Sequence, residues 1–195
     1  LLSFLLGGSA FVKAQDIALK SNILYDASGT INLGAEVGLA PKWTLDVSGN
    51  YNGWVRSHGR TWKHWMLQPE ARYWFCDRFT GHFVGVHAHG GQYNVGNLKQ
   101  YNIGNLNNHI SFLGTDLSVL SDRRYQGWFV GAGIAYGYSW ILSRYWNVEA
   151  EIGVGYAYTR FDAYPCADCG TKLIDGKSHH YVGPTKVALN LIYVF

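Results

Sequence analysis

The chain has 195 residues and a formal net charge of +3, with 15% charged residues, 16% aromatics and 24 glycines. Soluble globular domains carry about 25% charged residues. Charge this sparse, with no basic run, leaves no footprint for a nucleic acid, and none is expected as a partner. A mean hydropathy of -0.09 argues against a helical membrane protein, so apolar and polar residues must be finely interleaved.

The opening "LLSFLLGGSAFVKAQ" runs from an apolar stretch (Leu1–Leu6) through small residues to Val12-Lys13-Ala14. That is the order of a secretory apolar region and its cleavage site. Residues 1–14 are therefore expected to be the remainder of a signal peptide, and 15–195 one domain of an exported protein. A short buried helix is the alternative; the run is too short to span a bilayer. No cysteine follows the expected cleavage site, so no lipid anchor is expected.

From Asp16 onward a period of two dominates, the signature of half-buried strands. Segment 17–25 is compatible with a first strand. "TINLGAEVGLA" alternates Ile31, Leu33, Ala35, Val37 and Leu39 with Asn32, Gly34, Glu36 and Gly38. "WTLDVSGNYN" sets Trp43, Leu45, Val47 and Tyr51 against Thr44, Asp46, Ser48, Asn50 and Asn52. "WMLQPEARYW" sets Trp65, Leu67, Pro69, Ala71 and Tyr73 against Gln68, Glu70 and Arg72, and 82–91 is a less regular strand. "WFVGAGIAYGYSW" and "WNVEAEIGVGYAY" follow, the first with glycines as its small face and the second with Glu149 and Glu151 on its polar face. The last strand is 181–195, ending "VALNLIYVF".

Eight strands of about ten residues suit tilted crossings of a hydrocarbon layer. "PKWTLDV", "DRFTGHFVGV" and "SRYWNVEAEI" each place a basic residue before an aromatic at a short connection. Apart from 26–30, the intervening connections are longer: 54–62, about 92–124 and 161–180. Short turns at one rim and long loops at the other are the layout of outer-membrane barrels. The polar face is mostly Gly, Ser and Asn, which fit a narrow interior, and the apolar face carries Trp and Tyr near strand ends, as at membrane interfaces. The expected fold is all-β, an eight-stranded antiparallel transmembrane β-barrel. Its long loops would lie outside the outer membrane and both termini in the periplasm, the short rim's aromatics lying at the interface.

Parity puts Lys20, Glu36, Asp46, Glu70, Arg72, Glu149, Glu151 and Lys186 in the lumen. Five acids and three bases in a narrow interior should pair, because unpaired buried charge is costly. A filled lumen argues against a diffusion pore.

Cys166 and Cys169 form a CxxC in the last long loop, with His179 and His180 beyond it. An oxidising compartment favours a local disulfide; a metal site on the four residues and free or redox-active thiols are the alternatives. Cys76, at the other rim, reads as a free thiol. His87 and His89 share one strand face and could ligate metal or exchange protons, but luminal histidines bonded to the acidic network are the simpler reading. No compact Ser/His/Asp arrangement appears, so no enzyme and no cofactor are expected. Loop 92–124 repeats "YNVGNL" as "YNIGNL" and is either a recognition surface or a cover over the mouth. Outer-membrane lipid is the expected environment.

"KWTLDVSGNYN", "WKHWMLQPEARYW", "GHFVGVHAHGGQYNVG", "YQGWFVGAGIAYGYSWILSRYWNVEAEIGVGYAYTRFD" and "GPTKVALNLIYVF" resemble a family of small Bacteroidetes outer-membrane proteins, catalogued as a domain of unknown function and often encoded near fimbrial subunits. The resemblance spans about Asp16 to Phe195. It implies an outer-membrane barrel with a structural, surface or fimbria-associated role, and it brings no catalytic residues. A barrel enzyme acting on envelope lipid or peptide, or a narrow channel, is the alternative. Tyr193 and Phe195, ending an alternating strand on an aromatic, also resemble the signal read by barrel-assembly machinery.

Overall fold

A computed structural model describes residues 17–56, 60–96, 111–112, 115–116, 124–165 and 172–195. The period-two segments form β1 (Ile17–Asn22), β2 (Ile31–Ala40), β3 (Trp43–Asn52), β4 (Arg60–Trp74), β5 (Gly81–Gly96), β6 (Arg124–Ile141), β7 (Trp146–Tyr164) and β8 (Ile174–Val194). Each is antiparallel to its chain neighbour, and β1 pairs with β8, so the eight make one ring-like sheet. Val55–Arg56 adds a short rung beside β4, and Ser111–Phe112 pairs with Thr115–Asp116 apart from the ring. Among the described residues, no helix is long and apolar enough to cross a membrane.

Burial is inverted relative to a water-soluble domain. Glu36, Arg72 and Glu149 are 0% exposed, whereas Leu33, Val86 and Ile134 are 62%, 64% and 63% exposed. Buried polar groups and exposed apolar surface are the informative departures from the usual pattern. Here they follow strand parity around the ring.

Three differences from the sequence expectations have local physical causes. The first strand ends at Asn22, not 25. Asn22 becomes the N-cap of a one-turn helix, α1 (Ile23–Ala27), its side-chain oxygen accepting from the Leu24 amide at 3.1 Å. The later strands run longer than alternation suggested: β4 begins at Arg60, β5 reaches Gly96, β6 starts at Arg124, and β7 and β8 extend to Tyr164 and from Ile174. Backbone pairing there continues past the point where side chains stop alternating in hydrophobicity, so composition could not reveal it. Parts of the expected loops 54–62, 92–124 and 161–180 are therefore ladder.

The short connections are 41–42, 75–80 and 142–145, all at the rim where the described chain begins and ends. Trp43, Tyr145 and Trp146 face outward there, but Phe79 does not. It adopts a positive φ of 64° and is 4% exposed inside the ring. Its carbonyl accepts from Ser139 Oγ at 2.9 Å and Asn147 Nδ2 at 2.8 Å. A bulky residue in this region is strained, and these two bonds hold it.

Asn22 joins three elements. Besides capping α1, its side-chain oxygen accepts from the Leu189 amide of β8 at 3.3 Å, and its amide donates to Asn32 Oδ1 of β2 at 2.7 Å. Asn22→Ala is expected to cost roughly 1–2 kcal/mol, the scale of a lost cap. The urea midpoint should fall, and the Leu24 and Leu189 amides should exchange hydrogen faster than in the parent.

Candidate functional site

Inward positions of six strands converge on one charge cluster. Arg72 of β4 is its centre. Its guanidinium lies 2.6 Å from Glu70, 2.9 Å from Glu36 of β2, 3.2 Å from Asp46 of β3, and 3.0 and 2.7 Å from Glu149 and Glu151 of β7. Lys20 of β1 pairs with Glu36 and sits 3.5 Å from Glu149. Lys186 of β8 reaches Glu70 at 2.7 Å and Glu151 at 3.0 Å. All eight charges assigned inward by parity are thus brought together, each 8% exposed or less.

The register carries a tension that alternation could not show. Glu36 is paired with Asp46, and Asp46 with Glu70, so three carboxylates lie abreast across β2, β3 and β4. Like charges directly opposite one another destabilise a sheet. The three cations interleaved among the five carboxylates answer that repulsion. Asn190 adds a bond to Glu149 Oε1 at 2.8 Å, and Thr44 donates to Glu36 Oε1 while accepting from Trp74 Nε1 at 2.9 Å.

Glycine makes the space. A Cβ on Gly85 would stand 2.6 Å from a Glu70 carboxylate oxygen, and one on Gly131 would stand 2.5 Å from His89 Nε2. His87 and His89 both point inward from β5 and are buried. His87 Nε2 bonds Thr185 Oγ1 at 2.9 Å and its Nδ1 is 3.7 Å from Glu70. His89 stands one tier further on, its ring 6.1 Å from that of Phe129. Only His87 touches the acidic network. Among the described residues no group of three or more His, Cys, Asp or Glu is placed to hold a metal ion.

Toward the short-turn rim the cluster rests on an apolar floor of Ala18, Trp74, Phe79, Phe83 and Ile192. Phe83 also receives the Arg72 guanidinium over its ring at 4.5 Å. Alternation alone does not single out Trp74 or Phe83, although Trp74 shares parity with Glu70 and Arg72 and Phe83 with His87 and His89. Toward the other rim lies a cavity of about 580 Å³, bordered by Leu24, Trp62, Met66, Tyr93 and Phe129 and reaching Lys186.

Two aromatic bands mark the outer face. At the short-turn rim are Trp43–Tyr73 (5.2 Å between rings), Tyr138–Trp140 (4.8 Å), Trp146–Tyr193 (5.1 Å) and Tyr193–Phe195 (5.0 Å). Trp128–Tyr158 (5.6 Å) belongs to the second band. Phe195 is tied by its amide to the Ile17 carbonyl at 3.0 Å. Cys76 is exposed and free. Cys166 and Cys169 lie outside the described residues. His179 and His180 lie on β8 rather than in a loop, both exposed, with His180 Nδ1 bonded to the Tyr156 hydroxyl. Where β7 and β8 run beyond Tyr158 and His180, Asp162 accepts from the Gly176 amide at 2.8 Å and pairs with Lys172 at 2.9 Å. The Gly176 bond first, and the lysine next, hold the Asp162 carboxyl below the ordinary aspartate range.

The profile of a family described as "Protein of unknown function (DUF3575)" matches residues 1–195. No curated protein matches the chain.

Removing one partner from a buried ionic network leaves charge uncompensated, at about 3–5 kcal/mol. Arg72→Met is expected to destabilise on that scale, read as a fall in the urea midpoint, while Arg72→Lys retains part of the loss because it keeps the charge without the fork. At the far end of β7, protection of the Gly176 amide should be full at neutral pH. It should fade as acid titrates Asp162 through its lowered folded value, because a depressed carboxyl contributes above its unfolded pKa and loses that contribution on protonation. Hydrogen exchange against pH checks this.

Proposed function

We propose that this chain, which belongs to the DUF3575 family of proteins of unknown function, is an outer-membrane β-barrel with a filled interior and a non-enzymatic structural or surface-interaction role. The inverted burial carries the reading: the larger apolar side chains point away from the ring while paired charge closes it at the level of Arg72. Apart from the upper part of the seam between β1 and β8, the ring of strands satisfies its own backbone groups, the condition for crossing lipid, and two aromatic bands suit the two interfaces of a bilayer. Arg72 and its carboxylates stand across the interior, which favours a plugged ring over a conducting one. On this reading the short-turn rim faces the periplasm and the opposite rim the exterior, where a surface or fimbrial protein is the partner class that the resemblance implies.

The full chain should need detergent for solubility, migrate faster on gels before boiling than after, and sit in liposomes without conducting ions or turning over lipid. Solubility without detergent and without membrane fractionation would refute the barrel; conductance or lipid turnover would replace the interaction role with a channel or an enzyme. Crosslinking from the exterior rim in intact cells should then capture a specific surface protein. Deleting Phe195 removes the terminal aromatic of β8 and should lower the level of the heat-modifiable form in outer membranes. Normal levels in the deletion strain would exclude its role as an assembly signal.

A further inference from the structure

The ring is closed by backbone pairing along only part of its height at the seam between first and last strands. β1 pairs with β8 from Ala18↔Val194 to Asn22↔Asn190, whereas β7 follows β8 from Trp146↔Tyr193 to Ala163↔Ile174. Past the Asn22 bonds to Val187 and Leu189, no described strand pairs with the β1-side edge of β8 back to Ile174. Pro184 lies in that stretch, beside a register shift against Val154. Proline has no N–H to donate and is tolerated at sheet edges and bulges. On the other border β2 continues to Ile31, paired only with β3, and α1 stands between the two. Val182, on this open stretch, is 80% exposed.

The 580 Å³ cavity is lined from both borders of that seam: Leu24 and Tyr25 of α1 on one side, Pro184 and Val187 of β8 on the other, with Met66 and Phe129 behind. We propose that it is a side-entry binding site for one acyl chain of an amphiphile, admitted from the lipid past α1. This rests on the membrane-barrel reading above. An unpaired strand edge is tolerated at membrane depth only where it is buried in protein or lines a water-filled cavity, and here the edge borders a cavity that also holds Thr185 and Lys186 of the same strand. A molecule arriving through a side opening comes from the bilayer, so its entering part must be apolar. The lining is mostly apolar, with aromatic, aliphatic and thioether side chains, and its polar members are Ser28, Thr30, His64, Thr185 and Lys186. The volume lies within the range of about 300–1,000 Å³ common to small-molecule sites. Met66 is unbranched and adapts to a flexible occupant.

The full chain folded in detergent micelles, titrated with radiolabelled palmitate, should bind saturably at about one molecule per chain, as a single pocket requires. Met66→Trp fills the cavity and should weaken binding about tenfold or more, a loss near 1.4 kcal/mol, while Val86→Trp on the outer face should leave it unchanged. Binding that is non-saturable, or indifferent to Met66→Trp in a chain that remains heat-modifiable, overturns the site. Should Met66→Trp fail to fold, diazirine-bearing palmitate and a phosphatidylcholine with the same group on one acyl chain are photolysed with the parent chain. Adducts on Leu24, Met66 or Phe129 support the site, and the reagent that produces them separates a free fatty acid from a lipid tail. Adducts confined to outward residues such as Val86 and Ile134 overturn it. A chain that is soluble and not heat-modifiable refutes the barrel itself, a result distinct from a folded chain that takes up no acyl chain.

Discussion

The Arg72 guanidinium is the point on which the rest of the ring depends. Three carboxylates stand abreast on β2, β3 and β4, and two more approach from β7. No such arrangement survives without a cation between them. Arg72 suits the position because its planar fork offers several donors in fixed directions to several acceptors at once. Lys20 and Lys186, as point charges, bridge the sides that the fork does not reach. The cluster also constrains register. A slip of one residue in any contributing strand would carry its charge to the outer face and bring an apolar side chain inward. Backbone pairing alone is nearly indifferent to such slips, so the charges specify what the ladder does not.

Filling the interior with charge determines the outside. Once the inward parity belongs to Lys, Arg, Asp, Glu and their hydrogen-bonding neighbours, the outward parity holds the chain's large apolar side chains. The exposure of Leu33, Val86 and Ile134 is thus the counterpart of the burial of Glu36, Arg72 and Glu149. The glycines on β5, β6 and β7 belong to the same constraint. With Gly85 and Gly131 beside Glu70 and His89 of the adjoining strands, those side chains lie over bare backbone. The apolar floor of Trp74, Phe79 and Phe83 then lies between the cluster and the short-turn rim.

Period two made the eight strands legible, because one face of every strand is consistently large and apolar and the other small or polar. Parity alone was enough to group the eight charges on one side. Pairwise register was not legible, so the abreast row of Glu36, Asp46 and Glu70 was invisible, as was the central place of Arg72 among five carboxylates. Phe79 escaped because its neighbours repeat a motif whose other aromatics face outward; only its positive φ turns it in. Asn22 is an ordinary strand residue by pattern, and its role as a cap emerges only when Leu24 and Leu189 are both within reach of one side-chain oxygen. Trp74 shares the parity of Glu70 and Arg72, and Phe83 that of His87 and His89, and that parity, followed along each strand, is the signal for the floor.

Charge and backbone pairing close the ring together at one level and part company above it. Where Lys20, Arg72 and Lys186 meet the carboxylates, β1 and β8 are joined by a ladder; beyond Asn22, where aromatic and aliphatic side chains mix with neutral polar ones, that ladder stops. An apolar lining makes few directional demands on its walls, so it does not hold two strands in register as an ionic cluster does. The seam therefore falls where the charged cluster ends. A short helix capped by Asn22 takes the place of a continued strand, and no ladder crosses it. The ionic cluster and the closed ladder thus share the lower half of the ring, and the cavity and the open seam the upper half, a division that follows from which side chains face inward at each height.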